Sequence, residues 1–235
     1  MQCVILAGGL ATRLRPLTQN TPKSLIMILG KPFLQYQIEL LKSQNITEIV
    51  LCVGHFAEKI VNYFADGSKF GVKLTYSFET NQLLGTGGAL KNAASHLQSD
   101  FFVMYGDSYL PINFITIENF FRAAKAKACM VVYKNNAKYD KSNVIYRDNL
   151  VIKYDKSNTT PDMHYIDYGL SILTKDILTM LPENSPADLA DLFKKLAHKN
   201  ELLGYETTER FYEIGSQTGL QDFTQYINKK TKTHP

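Results

Sequence analysis

Leu6-Ala7-Gly8-Gly9-Leu10-Ala11-Thr12-Arg13-Leu14-Arg15-Pro16-Leu17-Thr18, followed closely by Thr21-Pro22-Lys23-Ser24-Leu25, ends the apolar run that starts at Cys3. Two adjacent glycines after a buried strand let backbone N–H groups come close to a ligand, and such donors suit phosphate oxygens. Arg13 adds a planar guanidinium fork, and Lys23 a compact positive charge. The stretch is neither the G-x-x-x-x-G-K-[ST] loop nor the G-x-G-x-x-G dinucleotide turn. It points to another way of holding a nucleoside triphosphate.

Outward from this loop, strand and helix patterns alternate. Cys3–Ala7 reads as a buried strand, and Lys31-Pro32 opens a helix with Phe33, Leu34, Ile38 and Leu41 at helical spacing. Glu48–Val53 is a second strand, Ala57–Phe64 a short helix, Val72–Phe78 an alternating strand, Gly88–Leu97 a helix and Phe101–Tyr105 a fourth strand. This order predicts an α/β fold: a Rossmann-like mixed, mostly parallel sheet with right-handed crossovers and helices on both faces. Ligands then lie beyond the carboxyl ends of the strands, which brings the glycine loop and Gly106-Asp107 to one edge.

The second half is less regular. Ala128–Tyr133, Asn143–Arg147, Leu150–Tyr154 and Tyr168–Leu173 read as strands, with a turn at Arg147-Asp148-Asn149. Ala187–His198 is an amphipathic helix. Leu202–Thr207 and Phe211–Ile214 read as short strands, and a last helix runs from Gln217 to Ile227. No Pro-, Gly- or Ser-rich linker and no repeat interrupts the chain. It is expected to be one domain, residues 1–235, with two lobes (1–110 and 111–235).

A hydrophobic fraction of 45% in 235 residues supports a substantial core. The net charge of +4 is mild, with a basic cluster only at Lys229-Lys230-Thr231-Lys232, so a small anionic substrate is expected and nucleic acid is not. Cys3, Cys52 and Cys129 lie far apart in apolar runs without metal-ligand spacing, and are read as buried reduced thiols. The N-terminus enters a strand directly, with no signal-peptide pattern, and no apolar run suits a bilayer span. A soluble cytoplasmic protein is expected, as monomer or homo-oligomer.

Asp107 is the foremost catalytic candidate. A Gly-Asp pair at the end of an apolar strand puts a carboxylate at the ligand edge, and such a group suits a hard cation such as Mg2+. Glu79 precedes Leu84-Gly85-Thr86-Gly87-Gly88-Ala89-Leu90, a glycine turn entering a helix N-terminus, which attracts anions and lets a flat base lie against backbone. Thr86 also suits a capping role. The histidines have no ligand spacing and carry no assignment. Among fourteen tyrosines, Tyr168 and Tyr109 are the two to examine for stacking on a ligand, and neither is assigned.

Taken together, these segments resemble the sugar-phosphate nucleotidyltransferases. Their signature L-A-G-G-x-G-T-R-L-x-P-L-T followed by P-K is matched with one departure, Ala11 in place of a third glycine, where a small side chain is expected to suffice. The resemblance implies that Leu6, Ala7, Gly8, Gly9, Thr12, Glu79, Gly85, Thr86 and Gly87 bind the nucleotide. Tyr105-Gly106-Asp107-Ser108 matches the family's G-D metal motif. Phe211-Tyr212-Glu213-Ile214-Gly215-Ser216 stands where W-x-D-I-G-T is usual, so Glu213 would be the second ligand of Mg2+. Lys153-Tyr154-Asp155-Lys156 resembles F-x-E-K, and Ile166-Asp167-Tyr168-Gly169 stands in place of N-x-G. Gly88, Asp155, Lys156, Asp167 and Gly169 are thereby implied to bind the sugar phosphate. Aspartate cannot donate a hydrogen bond as asparagine does, so Asp167 implies an altered reading of the sugar.

The reaction implied is attack of a sugar 1-phosphate oxygen on the α-phosphorus of a nucleoside triphosphate, with release of pyrophosphate. Its difficulty is bringing two polyanions together. Arg13 would hold the β- and γ-phosphates, Lys23 the phosphates flanking the reacting centre, and Mg2+ on Asp107 and Glu213 would bridge to the α-phosphate. The L-A-G-G start and L-G-T-G-G-A-L loop look most like small guanylyltransferases for mannose- or heptose-type 1-phosphates. Uridylyl, thymidylyl or cytidylyl transfer is the alternative, as is a catalytically silent regulatory homologue.

Overall fold

The computed structural model describes residues 1–9, 14, 16–79, 82–183 and 185–233. The nine strands of the main sheet are β1 (Gln2–Leu6), β2 (Glu48–Val53), β3 (Lys73–Phe78), β4 (Asp100–Tyr105), β5 (Ala128–Lys134), β6 (Val144–Arg147), β7 (Leu150–Tyr154), β8 (Tyr165–Thr174) and β9 (Leu203–Thr207). The helices are α1 (Phe33–Ser43), α2 (Ala57–Phe64), α3 (Gly85–Asn92), α4 (Phe114–Ala124), α5 (Leu189–His198) and α6 (Gln217–Thr233).

Strand order is β3-β2-β1-β4-β8-β5-β9-β7-β6, one unbroken mixed sheet through both halves of the chain. Its first four strands are parallel, with Val4 opposite Val50 on one side and Val103 on the other. Beyond β4 the pairing is largely antiparallel, because β8 runs against both β4 and β5, while β9 lies parallel to β5. The parallel character expected from the βα alternation thus belongs to the first half. The second half pairs largely antiparallel and includes the tight hairpin of β6 and β7. The turn joining β6 and β7 has Asp148 and Asn149 at φ of 50° and 60°, the two positive values that a tight hairpin with matching twist needs.

Both faces of the sheet are covered. Alternation along β1 sends Cys3 and Ile5 to a core shared with Phe33 and Leu34 of α1, Phe64 of α2, Phe114 and Phe121 of α4 and Phe223 of α6. It sends Val4 to a second core with Leu90 of α3 and Leu189, Leu192, Phe193 and Leu196 of α5. Strand runs buried on both faces read as continuous apolar stretches, which is why β1, β2 and β4 are plain in the sequence. Cys3, Cys52 and Cys129 are free and buried within this packing. Burial pushes all three thiols well above the ordinary range, Cys52 further so through the Glu79 carboxylate. No helix among the described residues is long and apolar enough to cross a membrane.

Three differences from the sequence reading have physical causes. Helix α4 went unassigned because its run Phe114-Ile115-Thr116-Ile117 is rich in strand formers; the Asn113 side chain nevertheless caps it by accepting from Thr116 N at 3.2 Å. Helix α3 starts at Gly85 rather than Gly88, because a carbonyl from residue 187 satisfies its first-turn amides. Strand β8 begins three residues early and carries a register shift between Asp167 and Ser171, a bulge around Gly169. Bulges re-aim side chains, and this one turns Asp167 and Gly169 towards the end of β4.

At the end of β4, Gly106 N donates to Leu6 O at 3.0 Å, so the backbones of β1 and β4 remain in contact just past the sheet. A Cβ at position 106 would lie 2.6 Å from Leu6 O and 2.9 Å from Ala7 Cα, both backbone atoms. Gly106→Ala is therefore expected to destabilise the fold by about 2 kcal/mol through forced backbone displacement. Urea denaturation of the variant beside the unmodified chain measures this, and an unchanged midpoint would refute the clash.

Candidate active site

A cleft opens at the carboxyl ends of β1 and β4, lined by Leu6 to Gly9, Lys23, Ser24, Glu79, Leu83, Gly85, Thr86, Ala89 and Tyr105 to Asp107. Lys23 sits on a single helical turn, Lys23–Leu25, entered through extended Pro22. Its ammonium donates to Asp107 Oδ2 at 2.9 Å across 84 residues of chain. Both side chains are largely shielded, at 18% and 30% exposure, so the pair is screened less than a surface ion pair. Ser24 Oγ is buried on the same wall with no hydrogen-bond partner among the described residues. A cation, a carboxylate and an unpaired hydroxyl therefore converge at one edge, as the topology predicts. Thr12 and Arg13 lie outside the described residues, as does Ala11.

Glu79 shapes the other end of the cleft. Its Oε2 accepts from Leu84 N at 2.5 Å. Its Oε1 lies where a Cβ on Gly8 would sit, 2.3 Å away, so glycine at position 8 makes room for this carboxylate. Burial raises the Glu79 pKa above the ordinary glutamate range, partly opposed by the Leu84 amide. The exposed side chain of Leu83 lines the cleft beside it, so a planar group there would meet an apolar surface and an acceptor oxygen.

Gly85 and Thr86 reach the cleft, but Gly87 and Gly88 do not face it as the resemblance implied. Their amides donate to Ala187 O at 2.8 and 3.2 Å, and both residues are buried. A Cβ on Gly88 would sit 2.9 Å from Ser185 O, and one on Gly87 3.1 Å from Leu189 N. These glycines admit the segment 185–189, and their two amides are already occupied. Thr86 Oγ1 donates to Asp188 Oδ1 and accepts from Leu189 N, both at 2.8 Å.

On the sugar-phosphate side, Asp155 turns away from the cleft. Its Oδ1 accepts from Ser157 N and Asn158 N at 2.9 Å, and its Oδ2 from Lys194 Nζ at 2.6 Å. The Lys194 contact, then the two amides, hold its carboxyl down to about 2. Asp167 is set otherwise: Oδ2 accepts from Tyr154 OH at 3.1 Å and Tyr105 OH at 3.4 Å, and Oδ1 from Gly169 N at 2.9 Å. Lys156 donates to Tyr105 OH at 3.3 Å and lies over that ring at 4.9 Å. Burial, then the Asp167, Asp188 and Asp107 carboxylates, hold the Tyr105 phenol well above its usual value, so it remains a donor. Tyr109 and Tyr168 are buried at 4% and 1% exposure and serve packing rather than stacking on a ligand. The sequence reading passed over Tyr105, Ser24, Leu83 and Asp188; only Tyr105 carried a signal, its place just before Gly106-Asp107.

Glu213 pairs in an antiparallel ribbon with Ser108, and Ile214 N donates to Asp107 O at 2.9 Å. The backbone therefore lies beside Asp107, as the order of motifs suggests. The carboxylate, however, faces the start of α6: Oε2 accepts from Gly215 N and Ser216 N, and Oε1 from Ser216 Oγ. Ser216 Oγ in turn accepts from Gly219 N at 2.9 Å, so Glu213 and Ser216 together cap the helix.

With the fold and this edge described, the class follows: the chain belongs to the Nucleotidyl transferase family, which it matches over residues 2–229. It is 35% identical over 179 residues to a D-glycero-alpha-D-manno-heptose 1-phosphate guanylyltransferase from Campylobacter jejuni, covering 75% of this chain and 77% of that protein. It is 31% identical over 244 residues to a mannose-1-phosphate guanyltransferase from Eremothecium gossypii, covering 100% of this chain and 67% of that one. Among solved structures it resembles HddC from Yersinia pseudotuberculosis complexed with GMP-PN, with a TM-score of 0.80 and 26% identity over 96% of this chain and 99% of that chain.

The capping role of Glu213 has a measurable consequence. Glu213→Ala should lower stability by about 1 kcal/mol, the usual cost of a lost helix cap, and reduce protection of the Gly215 and Ser216 amides from hydrogen exchange. Unaltered protection at those amides would show that the cap is not formed.

Proposed function

We propose that this chain joins a nucleoside triphosphate, GTP foremost, to a mannose- or heptose-type sugar 1-phosphate, releasing pyrophosphate in the cytoplasm. The observation that carries this reading is the meeting of Lys23 and Asp107 at 2.9 Å in the cleft beyond β1 and β4. The guanylyltransferase relatives support the choice of nucleotide and sugar. Residues 1–110 then form the nucleotide lobe and 111–235 the sugar-phosphate lobe.

Each group has a task in this reading. The sugar 1-phosphate needs no strong base, because a phosphate monoester with a second pKa of about 6 is largely dianionic at neutral pH. Catalysis rests on positioning and charge neutralisation. Lys23 faces the phosphates flanking the reacting centre, Ser24 Oγ supplies a donor beside it, and Arg13 is assigned the β- and γ-phosphates. The free oxygen of Glu79 accepts an N–H from the base edge. Lys156, ordered by Tyr105, neutralises the sugar phosphate, and Asp167 holds both phenols in place.

Asp107 also fits a hard divalent cation, since it stands at the cleft and its Oδ1 has only a 3.3 Å contact from Ser108 Oγ. Mg2+ held there would offset phosphate charge at the reacting centre. Glu213 would join it only by giving up its bonds to Gly215 and Ser216, so the longer side chain ties any second ligand to the cap of α6.

Pyrophosphate release, measured with Mg2+ and GTP, UTP, TTP or CTP against several sugar 1-phosphates, tests the reading. Turnover with GTP and a mannose- or heptose-type 1-phosphate is expected, and no turnover with any pair would overturn it. Asp107→Asn should reduce kcat by at least about 100-fold while the fold is retained by circular dichroism; a near-normal rate would remove Asp107 from the mechanism.

A second test uses pH. Because the carboxyl of Glu79 is held above its ordinary range, protonation removes its acceptor charge at mildly acidic pH. kcat/KM for GTP should fall there beyond the loss that protonation of the sugar 1-phosphate itself causes, and Glu79→Gln should be slower by roughly tenfold at neutral pH and keep only the substrate's share of that acid limb. An acid limb unchanged in the variant would refute Glu79 as the base-reading group.

A further inference from the structure

Helix α5 touches both walls of the cleft, although neither Asp188 nor Lys194 lines it among the described residues. At its N-terminus, Asp188 caps the helix by accepting from Ala190 N at 2.9 Å, and the same Oδ1 accepts from Thr86 Oγ1. Leu189 N donates to Thr86 Oγ1, and the preceding Ala187 carbonyl holds the amides of Gly87 and Gly88. The nucleotide loop is therefore fastened to α5 at this point. Six residues on, or ~9 Å along the axis, Lys194 Nζ donates to Asp155 Oδ2 at 2.6 Å. Beside it, Phe193 packs edge-on against Tyr154 at 6.0 Å. Tyr154 shares Asp167 with Tyr105, and Tyr105 receives Lys156 and lines the cleft.

These contacts run in a chain from one wall of the cleft to the other: Thr86, Asp188, the body of α5, Lys194 with Phe193, Asp155 with Tyr154, then Asp167 and Tyr105. Leu189, Leu192, Phe193 and Leu196 are buried beneath α5, so its two ends move as one body. We propose that α5 is a brace which sets the nucleotide wall and the sugar-phosphate wall relative to one another, with Asp188 and Lys194 as its two positioning residues. This rests on the nucleotidyltransferase reading for which ligand each wall receives. It assigns Asp155 a structural duty: the aspartate is the anchor of the brace, and Lys156 next to it faces Tyr105.

A brace makes a specific kinetic signature, because loosening either end releases both walls. Asp188→Ala and Lys194→Met should each raise KM for the triphosphate and for the sugar 1-phosphate by about fivefold, with kcat changed far less. The double variant should be scarcely worse than the poorer single one, since one broken end already frees the helix. Lys194→Arg, which retains the charge-assisted bond to Asp155, should restore both constants. Independently of turnover, hydrogen exchange at the Gly87 and Gly88 amides should quicken in Lys194→Met, at the opposite end of the helix from the substitution.

The proposal is overturned if each single variant alters only the substrate of its own wall and the double variant is multiplicative, since that describes two separate struts. It is equally overturned if both KM values stay unchanged or the Gly87 and Gly88 amides keep their protection in a folded Lys194→Met. If the unmodified chain turns over no pair of substrates, the functional reading fails, and the exchange measurement still decides whether α5 couples the two walls.

Discussion

An ammonium and a carboxylate brought to 2.9 Å from segments 84 residues apart impose a demanding constraint on everything around them. Each charge loses hydration on entering a shielded cleft, and each would be costly there without the other. The pair exists because β1 and β4 are neighbours in a parallel sheet, so their following loops emerge on one side. Gly106 lets those loops touch, the turn at Lys23–Leu25 lifts Lys23 over the edge, and the ribbon of Ser108–Tyr109 with Tyr212–Glu213 secures the stretch after Asp107. The architecture of the first half thus follows from the need to keep two opposite charges facing one opening.

The second half does different work. Its strands pair largely antiparallel, and three of its carboxylates are satisfied by groups of the chain itself. Asp167 is saturated by two phenols and an amide, Asp155 by a lysine and two amides, and Glu213 by the start of α6. Saturated carboxylates hold geometry, whereas Lys23, Ser24 and Glu79 keep atoms directed at the opening. This separates groups that build the walls from groups available to act.

How much of this was legible in the sequence depends on the range of the interaction. Elements declared by local pattern were clear: the apolar runs of β1, β2 and β4, the helical spacing of α1 and α5, and the hairpin at Asp148-Asn149. The edge that gathers Gly8 and Asp107 was also readable, because alternating strands and helices have few arrangements; Lys23 and Glu79 were assigned to the site through the resemblance. Contacts made across the fold were not. Nothing near Gly87 and Gly88 announces that the carbonyl of Ala187 will occupy their amides, and nothing near Asp155 announces Lys194. Helix α4 was obscured by Phe114, Ile115 and Ile117, whose burial overrides their strand preference. Motif spacing shows which residues gather at a site; which way their side chains turn depends on partners far along the chain.

One ordinary property of the core has a practical side. All three thiols are enclosed, with 0% exposure for Cys3 and Cys129 and 1% for Cys52, and their environment disfavours the thiolate that alkylating and oxidising agents attack. The native thiols are therefore shielded from maleimides. A single cysteine introduced on the surface would take up a fluorophore or spin label alone, without first stripping the chain of its own sulfhydryls.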